Sequence, residues 1–187
     1  MTSILVASVL CALPPPRAPA PQPDQPVAQQ QLTDEEIRAR VDAFLRTIDT
    51  RIPPEQWRAL GPRGAAILEA MAQDRSLLPT RRAAAVVGLS AIGSPGSASV
   101  LLSLAQSSGE PLNVRLVAVH GAAGVVPSAE LASTLKPVLE TSDDHRVRAA
   151  AAEVLSRSGA CGLVRAQAQR ERDALVMRSA LKACDDR

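Results

Sequence analysis

The sequence predicts an all-α chain: a short right-handed α-solenoid of about four to five antiparallel helix pairs, preceded by a disordered N-terminal segment. Three observations predict it. One segment recurs, as RRAAAVVGLSAIG from Arg81 to Gly93, VRLVAVHGAAG from Val114 to Gly124, VRAAAAEVLSRSG from Val147 to Gly159 and a weaker MRSALKAC from Met177. Its anchoring arginines, Arg82, Arg115, Arg148 and Arg178, stand 33, 33 and 30 residues apart. A fixed period in the thirties, built from helix formers, is the mark of stacked helical repeats. Finally, 46% of residues are hydrophobic, yet there is one Trp, one Phe and no Tyr. The interior is therefore Ala, Leu, Val and Ile, which suits closely approaching helices and offers no aromatic platform for bases or sugars.

At 187 residues the chain has room for one domain plus tails. A net charge of +2 is too small to imply a polyanionic partner. Ile4 to Leu13 form an uncharged apolar run, ILVASVLCAL. It is shorter than the ~20 residues a membrane-spanning helix needs, and it fits the hydrophobic core of a secretory signal peptide within residues 1–20. No Lys or Arg precedes it, and Pro21 follows the small residues Ala18-Pro19-Ala20 where a peptidase would cut. Leu10 stands where a lipoprotein needs Gly or Ala before its cysteine, which argues against a lipid anchor at Cys11. The expected destination is periplasmic or secreted, with a cytoplasmic location as the alternative. Residues 14–31, PPPRAPAPQPDQPVAQQQ, hold seven prolines without apolar periodicity. Such a stretch cannot bury enough surface to offset its ordering entropy, so it is expected to be a semi-stiff tether.

Order is expected over residues 32–187. Thr33 and Glu36 stand at capping-box spacing; Ile37, Val41, Phe44, Leu45 and Ile48 then recur at helical spacing. Pro53-Pro54 ends that helix and starts a short one carrying Trp57 and Leu60 inward. Gly61-Pro62 and Gly64 punctuate the chain before a helix whose inner face is Ile67, Leu68 and Met71. Repeat cores follow near residues 57–74, 79–107, 112–141, 144–172 and 174–187. With the anchoring Arg as position zero, positions −1, +3, +6 and +7 share one helical face and hold mostly small or apolar residues. Gly93, Gly124 and Gly159 fit C-terminal stops. After each stop a second helix is expected, capped by Ser94 before SVLLSLAQ and by Ser128 before AELASTLKPVLE, and starting near Ala160 in the third case. Pro137 predicts a kink, or a helix that starts late near Thr134.

The pattern VR-x-x-A-x-x-x-L, followed by Gly and a second amphipathic helix, resembles HEAT repeats, particularly short bacterial HEAT-like units. The resemblance covers Trp57 to Cys184. It implies a ladder in which each repeated Arg pairs with an acidic residue or a nearby carbonyl. The nearest carboxylates are Asp144 for Arg148, Glu110 (with Asn113) for Arg115, and Asp74 for Arg82. It implies little about function, because such arrays serve scaffolding, cargo binding, nucleic-acid repair and a few enzymatic roles.

Cys161 and Cys184 are equidistant from a midpoint between Arg172 and Asp173, in the polar run RERD. An antiparallel hairpin turning there brings the two face to face, and Cys184 occupies the inward +6 position. A disulfide is therefore expected, stabilising the fold by ~3 kcal/mol and sensible only in an oxidising compartment. No catalytic, metal or cofactor-binding residues emerge. His120 and His145 are followed by Gly121 and Arg146, so the His-Glu pairs of the HEAT-type metal hydroxylase are missing. Too few Cys and His stand at ligand spacing for zinc, and there is no nucleophile elbow or phosphate-cradling loop. The expectation is a non-catalytic protein–protein interaction or scaffold module of the cell envelope, with no cofactor and an unidentified protein or peptide partner. Its groove is assigned by helical phase to Gln106, Lys136, Glu140, Arg165 and Gln169. The alternatives are a nucleic-acid-binding HEAT-like protein and an accessory enzyme like the HEAT-type bilin lyases. The intermingling of arginines with acids speaks against the first.

Overall fold

Thr33 caps the first helix, as its capping-box spacing to Glu36 predicts. Its hydroxyl accepts from the Glu36 N–H at 3.2 Å, and the Glu36 carboxylate accepts from the Thr33 N–H at 2.7 Å. In the computed structural model, residues 32–47, 51–171 and 176–186 are described, and every regular element among them is a helix. The apolar segment and tether expected over residues 1–31 lie outside the described residues, as do Ile48 and the turn expected at Arg172-Asp173.

The helices are α1 Asp34–Arg46, α2 Pro54–Arg58, α3 Gly61–Gln73, α4 Pro79–Ile92, α5 Ala98–Gln106, α6 Leu112–Val125, α7 Ser128–Thr141, α8 His145–Arg157, α9 Cys161–Ala168 and α10 Arg178–Asp185. The recurring segment forms α4, α6, α8 and α10, and each of these packs against the next. The intervening helices α5, α7 and α9 each pack against the repeat helix that follows, while α3 packs on α4. At the N-terminal end α1 lies on α3 and α2 on α4. The core follows the repeat register: Val114, Val147 and Met177 at −1, Ala85, Ala118 and Ala151 at +3, and Leu89, Ala122 and Leu155 at +7 are buried. Arg81, the first −1 residue, is the exception and pairs with Asp42 of α1. In α3 the buried face is Ala65, Leu68 and Ala72. Ile67 and Met71 sit beside it, partly exposed against α1.

Several local expectations change. Gly93 ends α4 in the left-handed region, φ 74°, the conformation glycine adopts without steric cost. Gly124, by contrast, does not stop α6, which continues to Val125. Its function is close approach: a Cβ there would lie 2.7 Å from Ser90 Oγ and 3.2 Å from Ser90 O on α4. Ser94 makes no side-chain cap and leads into a single 3-10 turn, Pro95–Ser97, before α5. Ser128 is the first residue of α7 rather than its cap, which is Pro127. Helix α7 does not start late, since it runs from Ser128 through Pro137. Pro137 and Ser133 are both exposed, so the Ser133 carbonyl that Pro137 cannot bond is left to water rather than buried.

Candidate functional site

Three of the four anchoring arginines form rungs between successive repeats. Arg82 Nε donates to the Ala72 carbonyl of α3 at 2.9 Å, and its Nη2 lies 2.5 Å from Glu110 Oε2. Arg75 holds the other Glu110 oxygen at 3.0 Å. Arg115 repeats the pattern, with Nε to the Ala105 carbonyl of α5 at 3.3 Å and Nη2 to Asp143 Oδ1 at 2.7 Å and Ser142 Oγ at 2.8 Å. Arg148 grips Glu171 through two parallel bonds of 2.8 and 2.7 Å and donates to the Ser142 carbonyl at 2.7 Å. The carboxylate stands 28 residues downstream in the first two rungs and 23 in the third. Each arginine thus ties its own helix pair to the segment entering the next repeat helix.

The partners differ from those nearest in sequence. Glu110 serves Arg82, not Arg115. Asp144 caps α8 and chelates Arg146 at 3.1 and 2.8 Å, and Asp74 accepts from Ser76. The physical reason is direction: helical side chains incline toward the helix N-terminus, where the neighbouring repeat's entry loop lies. A signal was present, because Glu110 and Asp143 each stand five residues before the next anchoring arginine. Arg178 departs from the ladder; it is exposed and makes no ion pair or side-chain hydrogen bond among the described residues.

These bonds shift the carboxylates. The hydrogen bonds from Arg148 hold Glu171 below its usual value against the opposing effect of burial, and raise Arg148 in turn. Arg115 lowers Asp143 in the same way. Asp144, hydrogen-bonded to Arg146, falls to about 2. These interactions join one repeat to the next or cap its helix.

The two remaining cysteines stand at disulfide distance. Cys161, the first residue of α9, and Cys184 of α10 have sulfurs 2.11 Å and Cα atoms 5.7 Å apart. The bond joins the ends of the last two helices.

The open surface worth most notice is on the repeat helices themselves. Between α6 and α8 lies a groove of about 470 Å³ lined by Leu116, His120, His145, Arg146, Glu153 and Val176, with Ala149 and Ala150 among its walls. Both histidines of the chain face it. A second groove, about 360 Å³, is bounded by Phe44, Ile52, Trp57, Ala84, Val87 and Ala91. Its wall contains the Phe44–Trp57 pair, packed edge to face with centroids 4.9 Å apart, and Val87, which is 50% exposed. Position +5 of the repeat lines these grooves in the first three copies, as Val87, His120 and Glu153.

The residues expected to form a groove lie elsewhere. Gln106, Lys136, Glu140 and Arg165 are exposed on α5, α7 and α9, as is Gln169 just after α9, and none lines either groove. Two of them are engaged, Glu140 with Arg170 at 3.8 Å and Arg165 with Asp185 at 3.1 Å. Among the described residues no group of three or more His, Cys, Asp or Glu is placed to hold a metal ion, and no helix is long and apolar enough to cross a membrane. No protein-family model, curated protein or solved structure matches the chain.

Proposed function

We propose that the chain is a non-catalytic protein–protein interaction module of the cell envelope, a HEAT-like right-handed α-solenoid of about four to five helix pairs. The serial packing of the repeat helices, with an arginine rung from each pair to the next, supports the stacked-repeat reading. The cysteine pair supports an exported location, since disulfides persist in oxidising compartments.

One observation carries the binding reading: the groove between α6 and α8. It combines apolar Leu116, Ala149 and Val176 with polar His120, His145, Arg146 and Glu153. That chemistry suits an extended protein segment that mixes polar and small apolar side chains. The groove is lined from both α6 and α8, so one segment lying in it touches two successive repeat helices.

Site-specific photocrosslinking in the native host tests both the function and the face. A photoreactive residue at position 120 or 149 is expected to capture a discrete protein, and one at 136 or 140 is not. Capture only from 136 and 140 places binding on the second helices; capture from none of the four positions defeats the interaction reading.

A further inference from the structure

Helix α10 is held differently from every other repeat helix. Helices α4, α6 and α8 are each anchored by an arginine bonded to a carboxylate downstream, whereas Arg178 of α10 is exposed and has no such bond among the described residues. The helix has eight residues, fewer than the ~12–15 at which an isolated helix becomes even marginal in water. Its buried anchors on the rest of the fold are Met177, Ala180 and Cys184. The one ion pair it makes among the described residues, Arg165–Asp185, has side chains 54% and 70% exposed and so contributes little. The covalent link to Cys161 holds α10 near its far end, six residues beyond the arginine position that carries the rung in the other helices.

We propose that the Cys161–Cys184 bond is a redox latch on α10: its reduction frees the terminal helix from α8 and α9 while the preceding repeats stay folded. Accessibility favours a defined order of attack, because Cys161 is partly exposed and Cys184 is only 6% exposed. A thiolate of an external dithiol attacks Cys161 Sγ, forming a mixed disulfide and releasing Cys184 as a thiolate that takes a proton from water. The second thiol of the dithiol then attacks its own sulfur in the mixed disulfide and expels Cys161 as a thiolate. The protein gains two electrons and the dithiol leaves as its cyclic disulfide. Release stops at Glu171, which Arg148 holds by two hydrogen bonds on the near side of the opening segment. The face of α8 that α10 covers is then open to solvent. Nothing in this rests on the groove between α6 and α8 binding a partner.

Hydrogen exchange of the full chain, with and without dithiothreitol, tests the latch. Reduction is expected to speed exchange of residues 176–186 by about a hundred-fold, the loop-closure contribution of a bond of this span, with α4 to α7 unchanged. Cys161→Ser is expected to show the fast exchange without reductant and no further response to it. Unchanged exchange in 176–186 on reduction overturns the proposal. So does loss of protection in all helices together, which would make the bond a staple of the whole fold. Full alkylation of both thiols before any reduction overturns it as well, because the bond would then not form.

Discussion

Glu110 is where the ladder is most exposed to a single change. It and Arg82 have side chains 5% and 3% accessible, and breaking a buried pair from one side leaves the other charge without compensation. Glu110→Ala is expected to lower stability by about 3–5 kcal/mol, measured by urea unfolding with an unchanged m-value. A second residue-scale prediction concerns Gly88 of α4, where an added Cβ would lie 2.6 Å from Trp57 Cζ3 and 2.8 Å from Cε3. In an isolated helix Gly→Ala gains ~1 kcal/mol. Here the indole cannot yield without disturbing Phe44, so Gly88→Ala is expected to destabilise by about 1–3 kcal/mol in thermal or chemical denaturation. The small residues of this face were legible from the repeat register. That Gly88 is filled by an indole from α2 was not, because no periodicity relates Trp57 to it.

At the scale of elements, the helices were read well where signals are local and poorly where neighbours decide. The capping box of α1 needs only Thr33 and Glu36, and it formed as expected. Thr33→Ala is expected to cost about 1 kcal/mol, seen as faster amide exchange confined to α1. Gly124 illustrates the opposite case, since a glycine near a helix end fits a stop until Ser90 of α4 is known to lie against it. The loops entering α8 and α10 carry part of the acid sensitivity. Glu171 and Asp143 titrate below their ordinary values of 4.5 and 3.8 because Arg148 and Arg115 favour their charged forms. A depressed carboxylate contributes stability that is complete above its unfolded value and is lost as pH falls through the folded one. The thermal midpoint is therefore expected to hold above about pH 5 and fall below it. Glu171→Gln should lower the midpoint at neutral pH and make the acid decline shallower; an equally steep decline in that variant would place the acid sensitivity elsewhere.

Over the whole molecule, the rungs predict how damage combines. Arg115 and Arg148 meet at Ser142, one through its hydroxyl and the other through its carbonyl. Glu110 and Glu171 share no partner. The destabilisations of Glu110→Ala and Glu171→Gln are expected to add within ~0.5 kcal/mol, while Arg115→Gln with Arg148→Gln departs from additivity by more. A double-mutant cycle in urea measures both, and additivity in both pairs would show that Ser142 couples nothing. This behaviour is what a chain of nearest-neighbour contacts produces.

By itself the sequence determined the helical class, the repeat register and the inward face, because each depends on spacing along a helix. Tertiary structure alone decided which carboxylate each arginine takes and where the grooves beside α4, α6 and α8 open. Both depend on how one repeat is offset against the next. That offset is set by side-chain volumes meeting across α4, α6 and α8, a quantity with no period of its own in the chain.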